Sequence, residues 1–149
     1  MRNNGELISR FREQGRKVTP QRELVFRILE NNSLHPTAES VYMTAVRTMP
    51  TISLKTVYQV LNDLRDLGEI QAIEVGGGAL RFDPNVDDHH HLVCRTCGGV
   101  TDVDIDASGI GVPRSKRQGF SIDAVEVVFR GVCIRCKRAA EPARESVVP

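Results

Sequence analysis

The stretch DPNVDDHHHLVCRTCGGVTD, residues 83–102, decides the organisation of this chain, because it concentrates metal-binding side chains within twenty residues. It contains three histidines, four aspartates and two cysteines. The thiols of Cys94 and Cys97 are soft ligands that suit zinc, whereas imidazoles and carboxylates suit manganese, iron or zinc. The composition therefore predicts metal binding and leaves two different metals open.

A second cysteine pair, Cys133 and Cys136, completes the four cysteines of the chain. Two CxxC motifs with no cysteine left over are typical of a tetrahedral zinc site with four thiolate ligands. The chain has no apolar run typical of a secretory signal and no apolar stretch of about 18 residues that would span a membrane, so we expect a cytoplasmic protein. Because reducing cytosol keeps thiols free, zinc ligands are favoured over disulfides.

The length of 149 residues, 40% of them hydrophobic, allows one ordinary domain or two small ones. In a domain of about 70–80 residues the core alone supplies only about 3–5 kcal/mol, so a structural metal would be valuable. The formal net charge is +1, and this charge by itself would not identify a nucleic-acid-binding protein.

The first half of the chain has the periodicity of helices. Apolar residues recur at helical spacing over residues 6–14, and Gly15 follows as a stop signal. Thr19 precedes a proline, which is the pattern of an N-cap and predicts a second helix that ends at Asn31. A third helix is predicted over residues 37–50.

The predicted fourth helix, residues 53–67, has an apolar face and a hydrogen-bonding face. The second face suits base edges and phosphates, although a solvated polar face is the alternative for this helix taken alone. Two predicted strands follow at 70–75 and 79–83, joined across three glycines. Helices followed by a hairpin predict a winged helix-turn-helix. The predicted DNA contacts are Lys55, Thr56, Tyr58, Gln59, Asn62 and Arg22.

Pro84 and Asn85 mark a hinge, after which the composition changes to that of short strands. Strands are predicted at 91–95, 100–104 and 124–131. The glycine-containing segment 106–120 leaves room only for a short helix. The last residues are polar and contain proline, so a flexible tail is expected over 139–149.

Six segments resemble a known family: VTPQR at 18–22, HPTAESVY at 35–42, SLKTVYQVLNDLRDLG at 53–68, RFD at 81–83, HHHLVCRTCG at 89–98 and GVCIRC at 131–136. Over residues 5–138 the chain is similar to repressors of the ferric uptake regulator family. The resemblance implies an α+β fold: a winged-helix DNA-binding domain at 1–83 and a small α/β dimerisation domain at 84–138, with structural zinc on its four cysteines. The implied partners are double-stranded operator DNA and a second copy of the chain, with no membrane and no small organic substrate.

The resemblance also implies a sensory metal site with ligands from both domains. By position the ligands are His35, Asp83, His89, His91 and Asp102. Because this site has no thiol, its metal would be Fe²⁺ or Mn²⁺ rather than zinc. Alternation along a strand points both rings of the HxH motif to one face and His90 to the other. A further site using His90, Asp87 and Asp88 would lack a usual ligand, since no histidine follows His91.

Both carboxylates of the sensory site are aspartates, which is similar to the peroxide-sensing branch of the family; the iron-uptake branch more often has glutamates there. The resemblance implies that iron and hydrogen peroxide oxidise His89 or His35, which weakens metal binding and releases DNA. An iron-responsive or zinc-responsive uptake repressor of the same family is the alternative.

A metalloenzyme is the alternative from another class. It would need an open metal position and a nearby general base. The sequence has no HExxH motif, and a winged helix has no role in such an enzyme.

Overall fold

The structure is a computed structural model that describes residues 1–76 and 79–140. It consists of two compact units, Met1–Asp87 and Asp88–Pro149, so the division follows residue 87 rather than the predicted residue 83. Most of the described helices lie in the first unit and most of the described strands lie in the second, which makes the chain an α+β protein. None of the helices in the described ranges is long and apolar enough to cross a membrane.

Four helices open the first unit: α1 (Asn4–Glu13), α2 (Pro20–Leu29), α3 (Ala38–Thr48) and α4 (Leu54–Asp66). Each begins after a short polar residue whose side-chain oxygen accepts a first-turn backbone N–H; these N-caps are Asn3, Thr19, Thr37 and Ser53. Such caps satisfy donors that a helix start leaves unpaired. The cap at Asn3 was not predicted, and it starts α1 earlier than the expected residue 6.

The apolar faces of the four helices form one core. Its fully buried side chains include Leu7, Phe11, Val25, Phe26, Leu29, Val41, Ala45, Val57, Leu61 and Leu64. The rings of Phe11 and Phe26 lie 4.8 Å apart between centroids and are tilted by 59°, an arrangement that aromatic pairs favour. Because α4 buries one face in this core, its opposite face is left to solvent.

A hairpin follows α4, as predicted. Strands β1 (Gln71–Gly76) and β2 (Ala79–Asp83) pair antiparallel, with an irregular register near the turn. Gly76 has a φ of +105°, a value that favours glycine, and the two glycines after it lie outside the described residues. The side chain of Phe82 is 1% exposed and joins the hairpin to the helical core.

Two carboxylates tie distant parts of the first unit together. Glu69 is 1% exposed and forms ion pairs with Arg2 and with Arg10, the latter at 3.1 Å. Asp63 pairs with Arg16 and, at 2.7 Å, with Arg22. A buried carboxylate is tolerated only when it is paired in this way. No local pattern predicts these pairs, because their members are far apart in the sequence.

The second unit contains a three-stranded sheet in the order β4-β3-β5, formed by β3 (His90–Cys94), β4 (Val100–Val103) and β5 (Val128–Gly131). β3 runs antiparallel to β4 and parallel to β5. The predicted strand start at residue 124 was wrong. The backbone N–H of Val127 donates to Nδ1 of His90 at 3.3 Å instead of to a strand carbonyl, which interrupts the ladder before Val128.

Between β4 and β5 the described chain forms only a short 3₁₀ turn, Arg114–Lys116, consistent with the expected absence of a long helix there. Helix α5 (Ile134–Ala140) was not predicted, and it includes residues 139 and 140 of the expected tail. Five of its seven residues are good helix formers (Arg135, Lys137, Arg138, Ala139 and Ala140), but it buries no residue, so the sequence shows no apolar period there. The rest of the expected tail, 141–149, lies outside the described residues.

Candidate metal centres

Four free thiols come together in the second unit. Cys94 ends β3, Cys97 lies in the turn after it, Cys133 precedes α5 and Cys136 lies in α5. The four sulfur atoms lie within 4.8 Å of one another, and those of Cys97 and Cys133 are 3.9 Å apart. Four ligands about 2.3 Å from one zinc ion in a tetrahedron would lie about 3.8 Å apart. The cluster therefore has the donor type and the spacing that zinc requires.

The thiols of this cluster differ in acidity. The backbone N–H of Cys133, 3.3 Å from Cys94 Sγ, and that of Cys97 lower the pKa of Cys94 to about 5. The backbone N–H of Cys136 lowers the pKa of Cys133, whereas the Cys133 sulfur raises the pKa of Cys136 to about 12. At neutral pH the cluster thus contains both thiolate and thiol. Because zinc binds thiolates, its binding would release the remaining protons.

In the first unit, His35 and Asp83 form a two-residue group. His35 Nε2 lies 3.5 Å from Asp83 Oδ2, and both side chains are almost fully buried. The other oxygen, Oδ1 of Asp83, accepts a hydrogen bond from the backbone N–H of Asn85 at 2.8 Å. His35 has a φ of +46°, in the left-handed region that residues with a Cβ rarely adopt outside functional sites and turns.

In the second unit, His89, His91 and Asp102 form a three-residue group. The two imidazole rings lie on the same side, with centroids 4.4 Å apart, as alternation along a strand predicts. Asp102 Oδ1 lies 3.5 Å from His89 Nε2 and 3.7 Å from His91 Nε2. Two ligands about 2.1 Å from one ion lie about 3.0–3.5 Å apart. The 3.5 Å separation is at the upper end of this range and the 3.7 Å separation is slightly above it, and both are longer than usual hydrogen bonds, so the group suits a shared ion better than direct hydrogen bonding.

Glu126 was not predicted from the sequence as a residue of the metal site. Its Oε1 lies 3.0 Å from Nδ1 of His91, so we assign the imidazole proton to Nδ1 and leave Nε2, on the Asp102 side, as the ligand atom. A carboxylate that accepts from a ligating histidine fixes its tautomer and its ring orientation. Glu126 reaches this position because the parallel register pairs His91 with Val128, and no local motif signals it.

His90 lies between the two ligand histidines but has a different partner. Its Nδ1 accepts the backbone N–H of Val127 at 3.3 Å. Across residues 1–76 and 79–140, no group of three or more potential ligands close enough to hold a metal includes His90, Asp87 or Asp88. The third metal site considered from the sequence thus finds no support in this part of the chain.

The solvent-facing side of α4 carries most of the predicted DNA contacts. The exposed ones are Lys55, Tyr58, Gln59 and Asn62, and Thr56 is half-buried. The Tyr58 hydroxyl donates to Oε1 of Glu39, in α3, at 2.6 Å. This hydrogen bond lowers the pKa of Glu39 and raises that of Tyr58.

Arg22, the remaining predicted DNA contact, is held within the first unit. Its guanidinium donates to Asp63 at 2.7 Å and to the Lys17 carbonyl at 2.6 Å, and it lies 5.5 Å above the Phe11 ring centre. Beside it is a polar cleft of about 280 Å³, lined by Lys17, Thr19, Gln21, Arg22, Thr56, Gln59 and Val60. Arg22 therefore has two roles: its hydrogen bonds hold the residues beside α4 in place, and its side chain lines the cleft next to this helix.

The sequence matches the family model of the Ferric uptake regulator family over residues 13–130. The peroxide-responsive repressor PerR of Staphylococcus aureus is 30% identical over 133 residues, which are 89% of this chain and 90% of that protein. The fold is similar to the ferric uptake regulator Fur of Vibrio cholerae, with 27% identity, a TM-score of 0.69 and coverage of 85% of this chain and 99% of that one. It is also similar to a zinc-bound manganese uptake regulator, with 25% identity, a TM-score of 0.66 and coverage of 89% and 100%.

Proposed function

Because the chain belongs to the ferric uptake regulator family, we propose that it is a dimeric transcriptional repressor that senses hydrogen peroxide through a histidine-rich metal site. Members of this family are metal-responsive, DNA-binding regulators and not enzymes. The proposal rests on the donor set of the two ligand groups, which is three imidazoles and two aspartates with no thiol. The relative from Staphylococcus aureus supports the same function, since it is a peroxide-responsive repressor.

Zinc on Cys94, Cys97, Cys133 and Cys136 has a structural role in this proposal. Within the described part of the second unit, the buried apolar side chains are only those of Val93 and Cys94. So small a core needs a crosslink, and four thiolates on one ion join the end of β3 to the start of α5.

The regulatory metal takes its ligands from both units. His35 and Asp83 supply two ligands, and the group around His91 supplies three, which makes five nitrogen and oxygen donors. Neither group alone provides a full set, and donors of this kind suit iron or manganese. Because the ligands belong to two units, metal binding selects one arrangement of the chain from those it can adopt, and this arrangement is the one that binds DNA.

The imidazole ligands are the groups that peroxide changes. Iron(II) held by these ligands would catalyse cleavage of the O–O bond of hydrogen peroxide. One oxygen would enter a C–H bond of a ligand imidazole, which is oxidised by two electrons, and the other oxygen would leave as water. His89 is the first candidate, since its side chain is 12% exposed against 1% for His35 and His91. All four cysteines belong to the zinc cluster, so no spare thiol competes for the oxidant. An oxidised imidazole is a poorer ligand, and its loss favours the arrangement without metal.

The first unit binds DNA as a winged helix-turn-helix in this proposal. We call the hairpin of β1 and β2 the wing. Helix α4 enters the major groove, where Lys55 contacts a phosphate and Tyr58 contacts a thymine methyl group. The exposed hydrogen-bonding face of α4, opposite its buried face, supports this assignment.

The test compares zinc-loaded chain carrying Fe(II) with the same chain carrying Mn(II) after brief exposure to hydrogen peroxide. Peptide mass spectrometry should find one added oxygen on His89 or His35 with iron and none with manganese. A gel-shift titration on a DNA fragment selected from a random pool should show DNA release only for the iron form. Equal oxidation with both metals would contradict peroxide sensing.

A metal-uptake repressor is the second candidate, because the similar structures include an iron-uptake and a manganese-uptake regulator. It predicts that DNA binding follows the concentration of one metal and that peroxide leaves the histidines intact. Separate titrations of DNA binding with Fe(II), Mn(II) and Zn(II) distinguish the two functions.

A further inference from the structure

The loop before α3 and the strand β2 are joined through three consecutive residues of the strand. Arg81 donates from Nη1 to the backbone carbonyl of His35 at 2.9 Å. The backbone N–H of Phe82 donates to the carbonyl of Pro36, also at 2.9 Å. The next residue, Asp83, places its Oδ2 3.5 Å from the His35 imidazole. The ligand loop and β2 therefore form one hydrogen-bonded element.

His35 needs this support because of its backbone. Its φ of +46° is disfavoured for a residue with a Cβ, and such a conformation persists only where the surroundings hold it. The following residue, Pro36, has no N–H to donate, so the loop is restrained here through its carbonyls. The bond from Arg81 fixes the carbonyl of His35 itself and with it the peptide plane from which the imidazole is directed.

Arg81 also belongs to the wing. It lies opposite Ile73 of β1, and Phe82 next to it is buried in the helical core. A displacement of the His35 loop would therefore be transmitted to β2 through the Arg81 side chain and the Phe82 amide. Through the β1–β2 pairing it would reach the hairpin as a whole.

We propose that Arg81 is a positioning residue that couples occupation of the His35 and Asp83 ligand group to the order of the wing. The inference rests on the proposed function and adds a second route from metal to DNA, within the first unit. With metal on His35 and Asp83, β2 is held at its end by Asp83 and along its length by Arg81, so the wing becomes more ordered. By linkage, a more ordered wing also binds the metal more tightly.

The experiment uses the full zinc-loaded chain with Mn(II) alone as the probe. Arg81→Gln removes the guanidinium, and Arg47→Gln is the matched control, since Arg47 is exposed on α3 and its loss changes the charge equally. Free Mn(II), measured by electron paramagnetic resonance, gives the dissociation constant. Hydrogen exchange with mass spectrometry gives the protection of β1 and β2 with and without Mn(II).

Arg81→Gln should weaken Mn(II) binding by about tenfold or more, the usual effect of removing a group that orients a ligand. At saturating Mn(II) the metal should slow exchange in β1 and β2 in the wild-type chain and in Arg47→Gln, but not in Arg81→Gln. If Arg81→Gln does not fold, Arg81→Met, which keeps most of the apolar stem, is measured by the same criteria.

Mn(II) affinity equal to that of the Arg47→Gln control, or wing protection by Mn(II) that persists without Arg81, would overturn the coupling. His35→Ala separates this result from a failure of the proposed function. If His35→Ala binds Mn(II) as tightly as the wild-type chain, the ion does not use this ligand group and the proposed function fails. If His35→Ala loses affinity while Arg81→Gln does not, the coupling alone fails.

Discussion

Removing the carboxylate of Glu126 should weaken the regulatory metal site while leaving the fold intact. Glu126→Ala deletes the acceptor that lies 3.0 Å from Nδ1 of His91 and orients this ring. Loss of such a partner typically lowers metal affinity about 10–100-fold. Because the Glu126 side chain is 50% exposed, water replaces part of the lost interaction. We therefore expect the low end, about tenfold or about 1.4 kcal/mol of binding free energy.

Mn(II) affinity of the zinc-loaded chain is again the measurement, by electron paramagnetic resonance of free Mn(II). Glu126→Gln keeps the size of the side chain and a neutral acceptor, so its affinity should fall between those of the wild-type chain and Glu126→Ala. Asp123→Ala is the control, because it removes the same charge from an exposed position three residues away. Salt screens a charge at that position, so the control should stay within about twofold of the wild-type affinity.

Equal affinities for Glu126→Ala and Asp123→Ala would refute the orienting role of Glu126. A loss well beyond about 100-fold would instead make Glu126 a direct ligand, because it exceeds the usual effect of a group outside the ligand set. Zinc content has to stay at one ion per chain in every variant, so that a change in Mn(II) binding reports on the histidine site alone.

Three further predictions concern the zinc cluster and the DNA-binding surface. Cys97→Ser should remove zinc and unfold the second unit, seen by metal analysis and circular dichroism; a folded variant with full zinc content would contradict the cluster assignment. Lys55→Ala should weaken binding to all DNA sequences alike and reduce the salt slope by about one, whereas Tyr58→Ala should change sequence preference; unaltered gel shifts for both would point to another DNA-reading element. The hydrogen bond from Tyr58 to Glu39 should stabilise the fold fully between pH 4.5 and 10.0, and be lost as pH falls through the lowered pKa of Glu39 or rises through the raised pKa of Tyr58. Glu39→Gln should return the Tyr58 pKa toward 10.0, measured by tyrosinate absorbance in a Tyr42→Phe background, and a Tyr58 pKa that stays raised would argue against this pairing.

Local interactions explain why most of the first unit was predictable. The caps at Thr19, Thr37 and Ser53 and the apolar spacing after them act within about one helical turn, so the pattern and the structure coincide. The four-thiol cluster was predictable for a chemical reason: two CxxC motifs in one chain have few other uses, and their sulfur atoms lie within 4.8 Å of one another.

The prediction differed from the structure at β5 and at α5. In one a long-range contact changed the strand, and in the other the helix had no periodic apolar residues to indicate it. The stretch 124–127 is rich in valine and was predicted as strand. In the structure the Val127 N–H donates to the His90 imidazole instead, and β5 begins only at Val128. Helix α5 buries no side chain, and a helix without a buried face has no apolar period by which a sequence can reveal it.

The sequence by itself determined which residue types were available as ligands and which segments formed the first four helices and the wing. Only the tertiary structure decided which groups orient those ligands. Glu126 lies 35 residues from His91 in the sequence, and the parallel strand register brings the two together. Arg81 contacts the His35 carbonyl although the two residues are 46 positions apart. Contacts at such separations depend on strand register and on the packing of Phe82 in the core, and neither is written in any local pattern of residues.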